Sequence, residues 1–219
     1  PQIDGLGAPL VYESGRFVRG GTRGDGRRGE VITPTLRPIR SIPMVLRGTL
    51  AGAAVLEVRG EVFMPRAEFA KLNRSLEEAG TPTFANPRNA AAGAVRQKDP
   101  SVTARRPLDM FLYHVSRADG LAFTTHWETL EALRAAGFKT NPRSERCPTL
   151  DAVVDFCQRL EGDRDSLGYD ADGVVGKVNS LEQQRRLGST THHPRWAIAF
   201  QFAGRQAPTA GGGSKGKVG

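Results

Sequence analysis

Alternation of apolar and polar positions is clearest over residues 55–64. Leu56, Val58 and Val62 lie on one side of this pattern, and charged residues lie on the other. Because successive side chains of a strand point to opposite faces, the segment predicts a strand with one buried and one charged face. Shorter apolar runs separated by turn residues predict a hairpin over 10–19 and further strands over 108–115, 174–178 and 196–202.

The strand predicted at 196–202 has two different faces. One face carries large apolar side chains and is expected to lie in the core: Trp196, Ile198, Phe200 and Phe202. The other face carries two small residues and one polar residue: Ala197, Ala199 and Gln201. Two small residues followed by a polar residue predict a flat surface against which another group packs.

Four helices follow from apolar residues at helical spacing, from N-terminal capping residues and from C-terminal glycines. They are predicted over residues 65–79, 125–137, 149–162 and 180–188. Strands and helices mix without strict alternation along the chain. This order favours an α+β fold with antiparallel sheets flanked by helices over a doubly wound parallel sheet.

Length and composition fit a globular protein. The 219 residues suffice for one large or two small domains, and no apolar run is long enough to predict a transmembrane helix. Residues 204–219 are rich in glycine and lysine, which predicts a flexible basic tail. Cys147 and Cys157 fit neither a zinc site nor a disulfide framework, so reduced thiols in a cytoplasmic protein and no metal ligand set are expected.

The basic charge suggests an anionic partner. Net charge is +8, and arginine outnumbers lysine. The planar guanidinium of arginine binds two phosphate oxygens at once, so charge favours a nucleotide or nucleic-acid ligand over a basic protein with no such partner.

Several sequence blocks carry more specific information. Gln2-Ile3-Asp4-Gly5 is similar to the Lys-x-Asp-Gly motif of covalent nucleotidyltransferases, with glutamine at the lysine position. Further blocks are Thr22-Arg23-Gly24-Asp25-Gly26, Arg59-Gly60-Glu61-Val62-Phe63, Asn86-Pro87-Arg88-Asn89-Ala90-Ala91-Ala92-Gly93, Asp172-Gly173-Val174-Val175-Gly176-Lys177 and Trp196-Ala197-Ile198-Ala199-Phe200. In their order and spacing these blocks resemble the adenylation domain of bacterial NAD-dependent DNA ligases.

The resemblance implies a nucleotidyltransferase (ATP-grasp-like) adenylation domain over residues 1–203. In this family a lysine takes AMP from NAD, with Mg²⁺ as the metal cofactor, and the domain takes part in sealing nicks in duplex DNA during replication and repair. It also implies a monomer in the cytoplasm. The chain begins at Pro1, so the start of the domain and the family's preceding N-terminal module are expected to be missing.

The resemblance also implies roles for individual residues. Arg23 and Glu61 would contact AMP, and Tyr113 would stack on adenine. Asp172 would support the metal or the phosphate, and Asp4 of the first motif would belong to the catalytic residues. Lys177 would neutralise the adenylyl phosphate, and Arg88 and Arg96 would bind DNA phosphates. Taken alone, each has an ordinary alternative: a solvated charge for Arg23, a surface ion pair for Glu61 or a core aromatic for Tyr113.

Two departures from the family pattern remove the same functional group. Gln2 replaces the nucleophilic lysine, and Gln201 stands where the family carries a second lysine. An amide nitrogen is delocalised into its carbonyl and brings no charge to a phosphate, so the chain is predicted to be defective in self-adenylation. Alternatives are a catalytically inactive module that binds a nucleotide or nicked DNA, an RNA-ligase or capping-type enzyme with another nucleophile, and an engineered sequence.

Two features of the segment 172–177 complicate the prediction. Asp172 and Lys177 are five residues apart, so a regular strand would point them to opposite faces. Either Asp172 precedes the regular strand or a bulge redirects one of the two side chains. Gly176 stands where the family has a large aliphatic residue and is expected to loosen the strand.

Overall fold

The computed structural model describes residues 1–22 and 31–204. Its strands are β1 Gln2–Ile3, β2 Leu6–Glu13, β3 Arg16–Gly20, β4 Val55–Phe63, β5 Asp109–Ala118, β6 Ala171–Lys177 and β7 Ala197–Gln201. Its α-helices are α1 Thr33–Leu36, α2 Arg66–Glu78, α3 Pro87–Val95, α4 Pro100–Ala104, α5 His126–Ala136, α6 Leu150–Gly162 and α7 Leu181–Leu187. Two antiparallel sheets with helices around them confirm the predicted α+β class. None of the helices in these residues is long and apolar enough to cross a membrane.

The four-stranded sheet, in the order β3-β2-β4-β5, carries the larger core. The alternation over β4 is confirmed, because Leu56, Val58 and Val62 are fully buried. The predicted hairpin joins β2 to β3 through Ser14 and Gly15, both with positive φ, as a tight two-residue turn requires.

The three-stranded sheet, in the order β1-β6-β7, brings together segments from the two ends of the described chain. Gln2 pairs with Gly173, and Gly173 pairs with Gln201, so these three positions form one row across the sheet. A Cβ atom at Gly173 would lie 2.0 Å from the Phe200 carbonyl oxygen. Only glycine therefore permits this approach of β6 to β7.

The apolar face predicted for the last strand is only partly buried. Phe202 is buried, but Ile198 and Phe200 are 75% and 44% exposed. The prediction that this whole face lies in the core was wrong, because β7 is an edge strand and the second core reaches only its end at Phe202. Gly176 also behaves differently from expectation, since it pairs with Ile198 in an unbroken β6–β7 register.

Capping residues set the helix starts as predicted. The side chains of Thr125, Thr149 and Ser180 accept hydrogen bonds from the third residue of their helices at 3.1, 3.1 and 3.3 Å. Helix α3 was not predicted, although its start carries the usual signals. The Asn86 side chain accepts a hydrogen bond from the Asn89 backbone N–H at 2.8 Å, and Pro87 occupies the first helical position.

Aromatic contacts join the two sheets. The rings of Phe63 on β4 and Phe111 on β5 lie 4.9 Å apart, and each lies 5.6 Å from the ring of Tyr169 just before β6. Arg66 at the start of α2 forms an ion pair with Asp170 at 2.6 Å. The start of β6 is thus held against the end of β4, which fixes the distance between the sheets.

Gly173 and Gly176 offer a matched test of this packing. We expect Gly173→Ala to lower the free energy of unfolding by about 2–3 kcal/mol, because its Cβ would collide with backbone. Gly176→Ala is expected to change it by less than about 1 kcal/mol, because its Cβ would lie 3.6 Å from Ile198 Cγ2, an ordinary contact. Urea unfolding measures both, and equal losses would contradict the assignment of Gly173 as the close-approach position.

Candidate functional site

A cleft of about 910 Å³ opens between the two sheets. Its walls come from β1, from β4 and β5 of the larger sheet, from β6, from the start of α5 and from the segment leading into α6. Four residues singled out in the sequence line it: Gln2, Glu61, Tyr113 and Lys177. The structure therefore brings these four residues, which are far apart in the sequence, into one cleft.

Gln2 and Gln201 meet above Gly173. The Gln201 Nε2 atom donates a hydrogen bond to Gln2 Oε1 at 3.1 Å. Their strands are not neighbours, because β6 runs between them. The two amides reach each other across that strand at Gly173, which pairs with both Gln2 and Gln201. Residues 199 positions apart in the chain thus form one neutral pair beside the cleft.

Lys177 lies against the aromatic wall of the cleft. Its Nζ atom is 4.7 Å from the centroid of the Tyr113 ring, which is a cation–π contact. Burial lowers the pKa of Lys177 to about 8, because a buried ammonium loses hydration. The β6–β7 register places Lys177 on the same face as Gly173, so it lies on the side of the sheet that carries the glutamine pair.

Bulges orient two of the predicted site residues. Along β4 and β5, Gly60 pairs with Leu112 and Arg59 pairs with His114, which makes Tyr113 the extra residue of β5. Along β1 and β6, Gln2 pairs with Gly173 and Ile3 pairs with Ala171, which makes Asp172 the extra residue of β6. Asp172 therefore lies in the strand at a bulge, the second of the two arrangements considered for its spacing from Lys177.

Asp4 and Asp172 form a separate acidic group beside the cleft. Burial raises the pKa of Asp4, and the neighbouring Asp172 carboxylate raises it further. The Arg88 guanidinium opposes this effect, with Nη1 3.8 Å from Asp4 Oδ1. Because Arg88 lies in the first turn of α3, this ion pair connects the Lys-x-Asp-Gly-like segment to that helix.

The remaining predicted residues lie elsewhere. Arg96 is exposed at the C-terminal cap of α3, eight residues after Arg88. Eight residues of helix rise about 12 Å, so the two arginines mark the two ends of α3. Arg23 lies outside the described residues, as does the predicted tail from residue 205 onward.

Sequence patterns missed the histidines behind the cleft. The rings of His114 and His126 stack at 6.2 Å, and Trp196 stacks on His114 at 6.1 Å. Burial, together with the nearby Lys177 charge, lowers the pKa of His114 to about 4 and that of His126 to about 3. Both are therefore neutral at pH 7. Neither carried a sequence signal, since isolated histidines are as common in cores as in sites.

The far wall of the cleft was also missed. Trp127 and Arg146 both line it, with the Arg146 guanidinium 5.1 Å from the Trp127 ring centroid. Glu145 lines it too and forms an ion pair with Arg159 at 3.1 Å. These residues lie in a connecting segment and in the first turn of α5, where no repeating pattern singles them out.

The cleft thus lies between two antiparallel sheets and is lined by aromatic and basic side chains. Comparison with protein families matches residues 1–205 to the NAD-dependent DNA ligase adenylation domain. The chain belongs to this family, and the fold and family predictions are thereby confirmed.

Relatives of known name agree with the family assignment. The DNA ligase of Syntrophobacter fumaroxidans is 50% identical over 212 residues, which covers 95% of this chain and 31% of that protein. The DNA ligase of Acetivibrio thermocellus is 50% identical over 201 residues, 92% of this chain and 30% of that protein. The DNA ligase of Chloroflexus aggregans is 47% identical over 218 residues, which covers 95% of this chain and 32% of that protein. The chain thus spans about a third of the length of these relatives.

The lowered pKa of Lys177 predicts a pH-dependent effect on stability. Below about pH 8 Lys177 is charged in both states, and the folded state bears the full cost of burying the charge. We expect Lys177→Met to raise the free energy of unfolding by about 1–2 kcal/mol at about pH 7, since the lost cation–π contact offsets part of the gain. The gain should shrink as pH rises from about 8 towards 10.5, where the unfolded state also loses its proton.

Urea unfolding across that pH range measures the effect. Lys71→Met provides the control, because Lys71 is an exposed lysine of α2 with only a surface ion pair to Glu68. A constant difference between Lys177→Met and the parent chain at all pH values would show that the Lys177 ammonium is not buried as described.

Proposed function

We propose that this chain is the nucleotide-binding part of an NAD-dependent DNA ligase, and that it holds the adenylyl half of NAD without forming a covalent adduct. The observation that supports this is the Gln2–Gln201 amide pair beside the Tyr113–Lys177 wall. The cleft retains its aromatic and basic groups, while the nucleophile position holds an amide.

The missing step is attack on phosphorus. In the family reaction a lysine amine would form a nitrogen–phosphorus bond to the adenylyl group, while the bond to nicotinamide mononucleotide breaks and the amine loses a proton. A glutamine amide has its nitrogen lone pair delocalised into the carbonyl, so it is a very poor nucleophile. In this structure the Gln2 oxygen also accepts a hydrogen bond from Gln201, which fixes the orientation of the amide.

The remaining groups suit a ribonucleotide. Tyr113 offers an aromatic face for adenine, and the Glu61 carboxylate can accept hydrogen bonds from ribose hydroxyls. Lys177 now contacts the Tyr113 ring. To reach a phosphate, Lys177 would have to move away from this ring or remain on one face of it while adenine stacks on the other. His126 lines the same cleft and is neutral at pH 7, so it can donate or accept a hydrogen bond without adding charge.

The acidic group beside the cleft is compatible with Mg²⁺. This ion is usually held by one or two carboxylates together with substrate phosphates, and not by a cage of protein ligands. The described residues contain no group of three or more His, Cys, Asp or Glu side chains placed to hold a metal, but Asp172 lies close enough to Asp4 to raise the pKa of Asp4. These two carboxylates would hold the ion, which would neutralise phosphate oxygens.

DNA binding is a second function that the structure favours. Arg88 and Arg96 expose their side chains at the two ends of α3, outside the nucleotide cleft. Two exposed guanidinium groups on one helix can each bind a separate backbone phosphate of nucleic acid. DNA binding of this kind requires no nucleophile, so the glutamine replacements leave it intact.

The first test is covalent labelling. Incubation of the chain with NAD labelled in its adenylyl group and Mg²⁺ is expected to give no protein-bound label after denaturation. The physical reason is that no amine stands at position 2, where the family's adduct forms. An acid-labile adduct carrying AMP would contradict the proposal, and an intact adenylation domain of a named relative serves as the positive control.

Single and double variants separate the nucleophile from the charge around it. Gln2→Lys is expected to restore little labelling, because Gln201 still brings no charge to the phosphate. Gln2→Lys with Gln201→Lys should label at least about tenfold more, by comparison with the loss of other charged transition-state contacts. Gln2→Arg with Gln201→Lys is the matched control, since it supplies the charge without a reactive amine. Strong labelling of Gln2→Lys alone would show that position 201 is unimportant.

Salt dependence tests the DNA surface. The chain is expected to bind nicked duplex DNA more tightly than intact duplex, with affinity falling as salt rises. Arg88→Ala and Arg96→Ala should each reduce the slope of log affinity against log salt by about one, because each removes one phosphate contact. Arg74→Ala on α2 is a control for general charge. Equal slopes for all variants would contradict a specific role for α3.

A further inference from the structure

The formal charges of the side chains that line the cleft cancel, which bears on what the cleft binds. Within the described residues, the lining carboxylates are Glu61 and Glu145, and the lining cations are Arg146 and Lys177. Lysines at positions 2 and 201, as the family pattern has them, would add two positive charges. With glutamines there, the described side chains that line the cleft carry no net formal charge, although the whole chain carries +8.

The two cations also lie against aromatic rings. Lys177 Nζ is 4.7 Å from the Tyr113 ring centroid, and the Arg146 guanidinium is 5.1 Å from the Trp127 ring centroid. Either cation must give up a favourable contact before it meets a phosphate. The glutamine pair can offer only neutral N–H donors, and one of those already serves the Gln201–Gln2 hydrogen bond. Hydrogen bonds from neutral donors to an anion are weaker than those from cations.

Recognition of an uncharged nucleoside needs none of the lost charge. Adenine stacks on an aromatic ring, and ribose hydroxyls donate to a carboxylate. Tyr113 and Glu61 supply these groups on the neighbouring strands β5 and β4. In this chain the contacts for base and sugar are therefore retained, while the contacts for phosphate are reduced.

We infer that the cleft of this chain takes a purine ribonucleoside with little preference for its phosphorylated forms. This inference rests on the proposed function, because it assumes that the cleft between the sheets is the nucleotide site. It goes further by assigning the substrate class that the two glutamines leave: a neutral adenine nucleoside bound through base and sugar.

Calorimetric titration with adenosine and with AMP tests the inference. Neither ligand carries a leaving group that would permit adenylation, so only reversible binding is measured. For the chain as it is, the dissociation constants of the two ligands are expected to agree within about threefold at pH 7. In the variant Gln2→Lys with Gln201→Lys, AMP should bind at least about tenfold more tightly, while adenosine changes by less than about twofold.

Two controls make each outcome decisive. Gln2→Met with Gln201→Met keeps side-chain length without charge or amide, so its ratio of AMP to adenosine affinity should stay near that of the parent chain. Tyr113→Ala should weaken both ligands together, and circular dichroism checks that every variant folds. AMP binding much more tightly than adenosine to the parent chain would overturn the inference and leave the proposed function standing. If neither ligand binds the parent chain, both fail.

Discussion

The close approach of β6 to β7 at Gly173 is the constraint on which the candidate site depends. With no Cβ at this position, the Phe200 carbonyl fits against the strand, and the side chains on either side can meet above it. The same register carries Lys177 to the cleft, four positions further along β6. A side chain at position 173 would collide with the Phe200 carbonyl and disturb the strand pairing. This glycine thus affects both the packing of the smaller sheet and the row of residues in which Gln2 and Gln201 meet.

Two bulges set the positions of Tyr113 and Asp172 in the candidate site, and the sequence did not show where these bulges lie. An extra residue in one strand is visible only against the partner strand, so the bulges at Tyr113 and Asp172 could not be located from either segment alone. The sequence of 172–177 does indicate that a bulge is possible, because Asp172 and Lys177 are five residues apart and a regular strand would point them to opposite faces. The two bulges serve different groups: one sets Tyr113 in the cleft wall, and the other sets Asp172 beside Asp4.

Sequence signals were most informative for features that depend on contacts within a few residues. Capping side chains and glycines located the starts and ends of α5, α6 and α7, because these hydrogen bonds lie within a few residues. The alternation predicted along β7 was also correct, since Ala197, Ala199 and Gln201 pair with alternate residues of β6, Lys177, Val175 and Gly173. Which face of that strand is covered depends on distant elements, and there the expectation for Ile198 and Phe200 failed. Trp127 and Arg146 come together in the same non-local way.

Charge is distributed unevenly over the molecule, and this separates its two proposed roles. Arg88 and Arg96 are exposed outside the cleft, whereas the charges of the described side chains that line the cleft balance. Interactions of exposed charges with DNA phosphates act through the surface and are screened by salt. Interactions inside the cleft act at short range on a single ligand. Glutamines at positions 2 and 201 therefore alter the second kind of interaction and leave the first unchanged. The proposed DNA-binding surface and the proposed nucleotide cleft are therefore expected to respond differently to the glutamines at these two positions.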